Sequence, residues 1–580
     1  MQLKLRIYYR FVFIISLLGL ISIIIDFGFS QSKASQLLLD EFYFIVLIMG
    51  LLSTGLRYLY DFKLLNKRAR VFDVASVFFT FWVFYLYLFV GIPFETDLLL
   101  ENPIWIQLAV ILTFLREFSE LKITFKRTVL NPAQLFIVSF LFIIFIGMLL
   151  LKLPHATHNG ISYMDALFTS TSAVCVTGLA VVDTATTFTK FGQLIIVILI
   201  QIGGLGILTF ASYFSYFFKG GATYENQLAL GDITSSKKLG EVFSTLKNII
   251  LITFSIELVA AILIYFTTDT TLFKSNAEHI FFSVFHSVSA FCNAGFSTLS
   301  SSLYDLGFRF NYPLQIVIIF TFVLGGLGFP IVVNILTYFK YKIKFFFSSK
   351  RRDYKPWILN LNSRITLVTT LTISLISCIA FFIFEYDNTL APHDGIGKVV
   401  TAIFGATTPR TAGFNTIDSS TMTYPTLMMV IFLMWVGASP QSTGGGIKTS
   451  TFAIATLNIL SLAKGKNRIE LFRREISDIS VKRSYAIISL SLMVISMAVI
   501  FIAYFEKDKQ LSDIIFECVS AYSTVGLSLG ITPNLSEVSK VILVIVMFVG
   551  RISMLSFVIA VFKKIKYNNY TYPKEEITIN

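Results

Sequence analysis

Four stretches of this chain align without gaps, each with a glycine in seventh place and a large apolar residue in eighth. They read Ser172-Ala-Val-Cys-Val-Thr-Gly178-Leu179, Ser289-Ala-Phe-Cys-Asn-Ala-Gly295-Phe296, Thr407-Thr-Pro-Arg-Thr-Ala-Gly413-Phe414 and Ser520-Ala-Tyr-Ser-Thr-Val-Gly526-Leu527. A long apolar helix is expected before each, at roughly 133–153, 248–267, 365–385 and 484–504. A second follows each, at roughly 192–217, 313–339, 424–459 and 540–562. Short amphipathic segments at about 162–171, 278–288, 397–406 and 512–520 lead directly into the loops. The second helices carry Gly203, Gly325, Gly437 and Gly550, at 24 or 25 residues past the loop glycine in three repeats and 30 in the second. A fourfold unit of helix, short segment, glycine loop and helix restricts the fold to equivalent copies packed together.

Composition says in which solvent they pack. Of 580 residues, 55% are apolar and only 14% charged, with a mean hydropathy of +0.75. Soluble chains carry about 25% charged residues, so soluble enzymes, disordered chains and fibres are excluded. The 60 phenylalanines and 25 tyrosines suit lipid-facing helices with aromatic belts. The net charge of +13 does not indicate nucleic acid, because it lies in short segments between apolar runs. That placement is the positive-inside pattern. Basic clusters fall at Lys237, Lys238 and Lys247, at Lys340 to Lys355, at Lys464 to Arg483 and at Lys563 to Lys566. Each repeat thus begins and ends in the cytoplasm, with its glycine loop facing outward.

Before the repeats, spans are expected at roughly 11–30, 41–60, 73–93 and 103–118. Their connectors alternate in charge: Arg57, Lys63, Lys67, Arg68 and Arg70, then Glu95, Asp97 and Glu101, then Lys122, Lys126 and Arg127. Both termini are expected in the cytoplasm. The run from Phe11 to Phe27 is too long for a cleavable signal and reads as a first span. The fold class is an all-α polytopic membrane protein, with about twelve spans and four re-entrant short helices. Its expected divisions are 1–128, an accessory four-helix region, then pore repeats at 129–218, 219–340, 341–463 and 464–580. Cys175, Cys292, Cys378 and Cys518 show no metal or redox spacing, and no disulfide framework is expected.

Irregular backbone survives at membrane depth only where protein buries it or it lines a watery path. Four such loops around one axis make a pore, whose backbone carbonyls can replace the water shell of a dehydrated cation. Glycine suits a carbonyl-inward loop because such a loop needs backbone angles that a Cβ hinders.

The residues around these glycines resemble the Trk/Ktr/HKT superfamily of potassium transporters, and within it a TrkH/KtrB-like membrane subunit. The resemblance rests on the four loops, on Gly-Gly-Leu-Gly at 203–206 and 325–328, and on Gly437-Ala-Ser-Pro-Gln-Ser-Thr-Gly-Gly-Gly-Ile-Lys448-Thr with Gly550-Arg551. It covers roughly residues 130–565 and not the first 125. It implies a single chain folded as a pseudo-tetramer, with an ion filter made of Val176, Thr177, Gly178 and Leu179; Asn293, Ala294, Gly295 and Phe296; Thr411, Ala412, Gly413 and Phe414; and Thr524, Val525, Gly526 and Leu527. Glycine in all four loops goes with potassium in that family, and serine in the first loop with sodium. Two residues before the glycines stand Val176, Asn293, Thr411 and Thr524, so two of the four repeats lack an inner hydroxyl. A sodium-permeable or weakly selective path is therefore the alternative. The resemblance also implies a homodimer on a cytosolic nucleotide-binding RCK-type subunit. This chain itself carries no nucleotide motif, so no cofactor is expected and potassium is the substrate, held at the filter carbonyls.

The third repeat's second helix is interrupted by Gly437 to Gly446, with Pro440 and three successive glycines. This reads either as a kinked packing helix or as a gate loop across the pore, comprising Gly437, Ser442, Thr443, Gly444, Gly445, Gly446 and Lys448. Arg551, in the last apolar helix, costs ~3 kcal/mol at mid-membrane, so it ties helix-end or loop carbonyls, slows cations, or does both. Arg410 reads as a strut to neighbouring pore-loop carbonyls. Glu257 pairs with a cation or bonds a hydroxyl. Asp165 sits favourably at a helix start, and Asp183 and Asp418 are mouth acids or solvated loop acids. Arginine spacing does not support voltage sensing in the first four spans, since the fourth offers only Arg116 before Lys122. Neither paired carboxylates nor a histidine cluster supports an enzyme.

Overall fold

The computed structural model describes residues 2–60, 67–87, 104–120, 132–206, 242–346, 358–466 and 468–552. The chain is a polytopic, almost wholly helical membrane protein. Among the described residues, the strands are a two-residue pair, Glu470–Leu471 against Arg474–Glu475.

Each repeat supplies a first helix, at Pro132–Leu151, Val242–Thr267, Leu361–Glu385 and Asp478–Phe505. The short helices are Tyr163–Val174, Asn276–Cys292, Ile396–Thr407 and Leu511–Ser523. The second helices begin as Lys190–Leu205, Tyr312–Leu327, Tyr424–Trp435 and Glu537–Ile552. Burial is inverted relative to a water-soluble fold. First helices present large apolar side chains outward, such as Phe142, Leu258, Leu371 and Ile500, as lipid-facing surfaces do. The short helices are the buried layer: Phe168, Phe285, Phe404 and Phe516 are fully enclosed.

Helix starts follow from local hydrogen bonding. Ser162 Oγ accepts from Asp165 N at 3.0 Å and Ser275 Oγ from Glu278 N at 3.2 Å, which satisfies donors the first turn leaves open. The acids then reach across to neighbouring repeats. Lys540 of repeat four bonds Asp165 of repeat one at 2.8 Å, and Lys190 of repeat one bonds Glu278 of repeat two at 3.1 Å. The Lys190 bond holds the Glu278 carboxyl below the usual glutamate range.

The second helix of repeat two departs from the expected single run, while that of repeat three breaks where Pro440 and the glycines of 437–446 lead one to expect. Repeat two bends by 106° at Gly328, between Tyr312–Leu327 and Phe329–Phe346, although 313–339 reads as one apolar stretch. The bend uses Gly328 at φ +83°, and Gly206 ends the corresponding helix of repeat one at φ +78°. In repeat three the run from 424 to 459 divides into Tyr424–Trp435 and Thr449–Ala463. The expected continuations at 207–217 and 553–562 lie outside the described residues, as do 88–93, Lys63, Glu95, Asp97, Glu101, Lys122, Lys126, Arg127, Lys237, Lys238, Lys350 to Lys355 and Lys563 to Lys566.

The first four helices, Gln2–Gly28, Lys33–Tyr60, Lys67–Tyr85 and Ile104–Glu120, form their own core around Tyr43, Leu47 and Val110. Arg57 is not a connector charge. It lies inside the second helix, 2% exposed, paired with buried Glu117, while Arg116 pairs with buried Asp73. Phe27 stacks on Phe191 and Gly28 abuts Leu153, which docks this bundle on repeat one. Breaking a buried pair leaves an uncompensated charge. Arg57→Met is expected to lower stability by about 3–5 kcal/mol, and the joint Arg57→Met/Glu117→Met variant to recover most of it. Thermal unfolding in detergent, followed by size-exclusion fluorescence, reads both.

Candidate functional site

Each short helix ends in a hydroxyl that folds the following loop back on itself. Ser172 Oγ donates to Leu179 O at 2.7 Å and accepts from Gly178 N at 3.1 Å. Ser289 Oγ donates to Phe296 O at 2.7 Å, and Ser520 Oγ accepts from Gly526 N at 3.2 Å. In repeat three the clamp is Thr408, whose Oγ1 donates to Phe414 O at 2.8 Å. Thr407, which the gap-free alignment places opposite the serines, bonds back into its own helix at Ile403 O, 2.6 Å away. These hydroxyls solve the problem of non-helical backbone at depth, because each buried backbone group they reach is satisfied within the protein.

Within each loop the backbone turns left-handed twice. Val176, Asn293, Thr411 and Thr524 have φ of 58°, 60°, 73° and 50°, and the glycines two residues on have φ of 89°, 67°, 75° and 93°. A left-handed residue flanked by right-handed or extended ones alternates the direction of successive peptide planes. A β-branched residue such as Val176 adopts this only when its surroundings force it.

The four loops close into a ring. A Cβ on Gly178 would stand 2.3 Å from Ala294 O, and one on Gly295 3.1 Å from Ala412 O. A Cβ on Gly413 would stand 2.1 Å from Val525 O, and one on Gly526 2.3 Å from Thr177 O. Each glycine therefore abuts the carbonyl of the residue before the next repeat's glycine, in the order one, two, three, four, one. The second-helix glycines press in from behind. Gly203, Gly325 and Gly550 leave no room for a Cβ beside Val174 O, Phe291 O and Tyr522 O, each four residues before its loop glycine. Gly437 differs, since it packs on Gly445 O of its own segment.

That segment, 437–448, lies against one side of the ring. Thr443 Oγ1 is 3.1 Å from the Asn293 side chain and 3.3 Å from Phe291 O. A Cβ on Gly444 would meet Thr411 Oγ1 at 2.1 Å, and one on Gly445 would meet Thr524 Oγ1 at 2.4 Å. The segment thus touches the left-handed residue of repeats two, three and four. It is held by Ser439 N to Gly326 O at 3.0 Å, Ile447 N to Trp435 O at 3.2 Å and Ser442 Oγ to Ser439 O at 2.6 Å. Lys448 Nζ donates to Gly444 O at 2.5 Å. Arg551 donates one Nη to Thr443 O and the other to Gly203 O at 2.6 Å, joining repeats four, three and one.

Arg410 reaches away from the loops, to Ser374 Oγ at 3.2 Å and Thr370 O on the first helix of repeat three, and to Gly437 O at 3.4 Å. Glu257 accepts from the Gln201 amide at 3.3 Å and lies 4.0 Å from Cys292 Sγ. Asp183 and Asp418 accept from backbone two residues ahead, from Ala185 N and Ser420 N. The clamping role of Ser172, Ser289, Thr408 and Ser520 escaped the sequence reading, although a hydroxyl five or six residues before each glycine was its signal.

A ring of backbone donated by four repeats of one lipid-embedded chain is the framework of a transporter and not of an enzyme. The chain belongs to the TrkH family of cation transport proteins, whose family pattern matches residues 104–571. It is 35% identical to Ktr system potassium uptake protein B of Bacillus subtilis, over 77% of this chain and 96% of that one. It is 33% identical to the potassium/sodium uptake protein NtpJ of Enterococcus hirae, over 78% and 97%. The crystal structure of the potassium transporter TrkH from Vibrio parahaemolyticus has the same fold, with a TM-score of 0.60 at 17% identity over 85% of this chain and 97% of that one.

The register of repeat three is open to direct test. Thr408→Val leaves Phe414 O without its donor and is expected to cost about 1–3 kcal/mol of loop stability and most cation uptake. Thr407→Val removes only a bond within a helix and is expected to retain uptake. Cation accumulation by cells expressing each variant at equal levels distinguishes them.

Proposed function

We propose that this chain takes up potassium across the cell membrane through a central pore lined by the four glycine loops. The observation that carries the reading is the closed order of glycine-to-carbonyl contacts, which supports four loops ringed about one axis, where backbone carbonyls can replace the water shell of a cation. The short helices direct their C-terminal ends toward this ring, where the helix dipole favours a cation. The similarity to proteins described as potassium uptake proteins points the same way. In this reading Gly178, Gly295, Gly413 and Gly526 with their neighbours are the filter. The segment from Gly437 to Lys448 obstructs the path on the cytoplasmic side, and Arg551 fastens it there by Thr443 O while adding a positive charge below the filter.

The proposed setting is the plasma membrane, with both termini cytoplasmic and the repeats divided as the basic clusters suggest. A homodimer and a cytosolic nucleotide-binding RCK-type subunit are carried over from the family resemblance. A path that also passes sodium is the second reading. It is favoured by Val176 and Asn293, which put no hydroxyl at the inner position of two repeats, and by the likeness to a potassium/sodium uptake protein.

Expression in a bacterium lacking potassium uptake is expected to restore growth on low-potassium medium, and failure by a membrane-inserted protein would overturn the reading. Deleting residues 442–446 is expected to raise cation flux; unchanged flux in a folded deletion removes the gate assignment. Gly178→Ser puts a side chain against Ala294 O and is expected to lower rubidium flux relative to sodium flux.

A further inference from the structure

Two polar side chains buried in the short helices take no part in what has been described so far. They are His286 in repeat two and Glu517 in repeat four, 0% and 1% exposed. Each lies nine residues before its repeat's filter glycine, Gly295 or Gly526. Each is bonded by the serine two residues beyond that glycine. Ser297 Oγ is 2.9 Å from His286 Nε2, and Ser528 Oγ donates to Glu517 Oε1 at 2.5 Å.

The direction of the histidine bond follows from its other nitrogen. Nδ1 is 2.9 Å from Phe282 O, which only accepts, so Nδ1 carries the proton and Nε2 accepts from the Ser297 hydroxyl. Two chemically unlike side chains therefore act as the same acceptor at the same place. The ties extend a little further along the chain. Ser297 Oγ accepts from Leu299 N at 3.0 Å. Glu517 also accepts from Leu529 N at 3.3 Å and Thr532 Oγ1 at 2.9 Å.

Repeats one and three lack the pair. Thr169 and Ala180 stand at these positions in repeat one, and Phe404 and Asn415 in repeat three. Among the described residues the Thr169 hydroxyl has no partner, and Asn415 N instead donates to Ser302 Oγ of repeat two at 3.4 Å. Because the loops contact in the order one to four, repeats two and four face each other across the axis.

We propose that His286 and Glu517 are paired positioning residues which, through Ser297 and Ser528, hold back the C-terminal ends of two opposed filter loops and thereby set the ion preference of the ring. This inference rests on the filter reading above. A smaller cation is coordinated when carbonyls close in around it, and a larger one when they are held apart. A tether from loop to short helix resists that inward movement. It acts along one diagonal only, so the ring is stiffer between repeats two and four than between one and three.

The test uses the full-length protein in proteoliposomes, with rubidium and sodium tracer uptake measured side by side. Ser297→Ala and Ser528→Ala are each expected to lower the rubidium-to-sodium flux ratio roughly fivefold, the equivalent of one buried hydrogen bond. Ser528→Thr keeps the hydroxyl and Glu517→Gln keeps an acceptor oxygen, and both are expected to preserve the ratio. An unchanged ratio in both alanine variants, with Gly178→Ser still altering it, overturns the tether and leaves the filter intact. An unchanged ratio in all three overturns the filter reading beneath it. Equal loss of both fluxes in the alanine variants reduces these residues to structural supports and also overturns the proposal.

Discussion

A peptide group inside a membrane has no water to fall back on, and four of this protein's loops expose peptide groups at that depth. The architecture around them is arranged so that each loop is held from two sides. From behind, a hydroxyl at the end of the short helix takes the loop's backbone, and in repeats one, two and four a second-helix glycine lets two backbones meet without a side chain between them. From the side, the neighbouring loop's carbonyl rests on the loop glycine. Left-handed backbone at Val176, Asn293, Thr411 and Thr524 costs of order 1–3 kcal/mol each and persists only under such constraint. The ring is therefore a collective object, and no single loop would hold its shape alone.

The repeats share this scaffold and diverge in their second helices. Second helices of repeats one and two stop or bend at Gly206 and Gly328, the last glycines of the two Gly-Gly-Leu-Gly motifs. Repeat three takes the same tendency furthest, opening the helix over Gly437 to Lys448. There its carbonyls and amides find partners in Gly326, Trp435 and Arg551. Segment and ring are matched in detail. Thr443, Gly444 and Gly445 meet Asn293, Thr411 and Thr524 in turn, so a side chain at either glycine would collide with a threonine.

Most of the fold was legible because a fourfold period with a glycine at fixed register has few structural meanings. The short helices fall within a few residues of their expected positions, as at Tyr163–Val174 and Leu511–Ser523. What stayed hidden depended on contacts between distant residues. An unbroken apolar run across Gly328 reads as one helix, and only the packing of that glycine on Pro440 O shows why it bends. Arg57 reads as a connector charge until Glu117, sixty residues on, is seen to neutralise it. The clamp of repeat three slips by one residue because its loop, with Pro409 and Arg410, leaves the helix differently from the other three. Equivalence in alignment was not equivalence in space.

Arg551 has a consequence beyond local fastening. Its two bonds fall on Thr443 O in the third repeat and Gly203 O in the first, while its own backbone belongs to the fourth. One guanidinium thus spans the seam where the two ends of a linear polypeptide are brought together to complete a circle. Any rearrangement that withdraws the segment must strip this guanidinium of one of its two carbonyl acceptors. Displacement of the 437–448 segment and separation of the first and last repeats are consequently coupled through this one side chain.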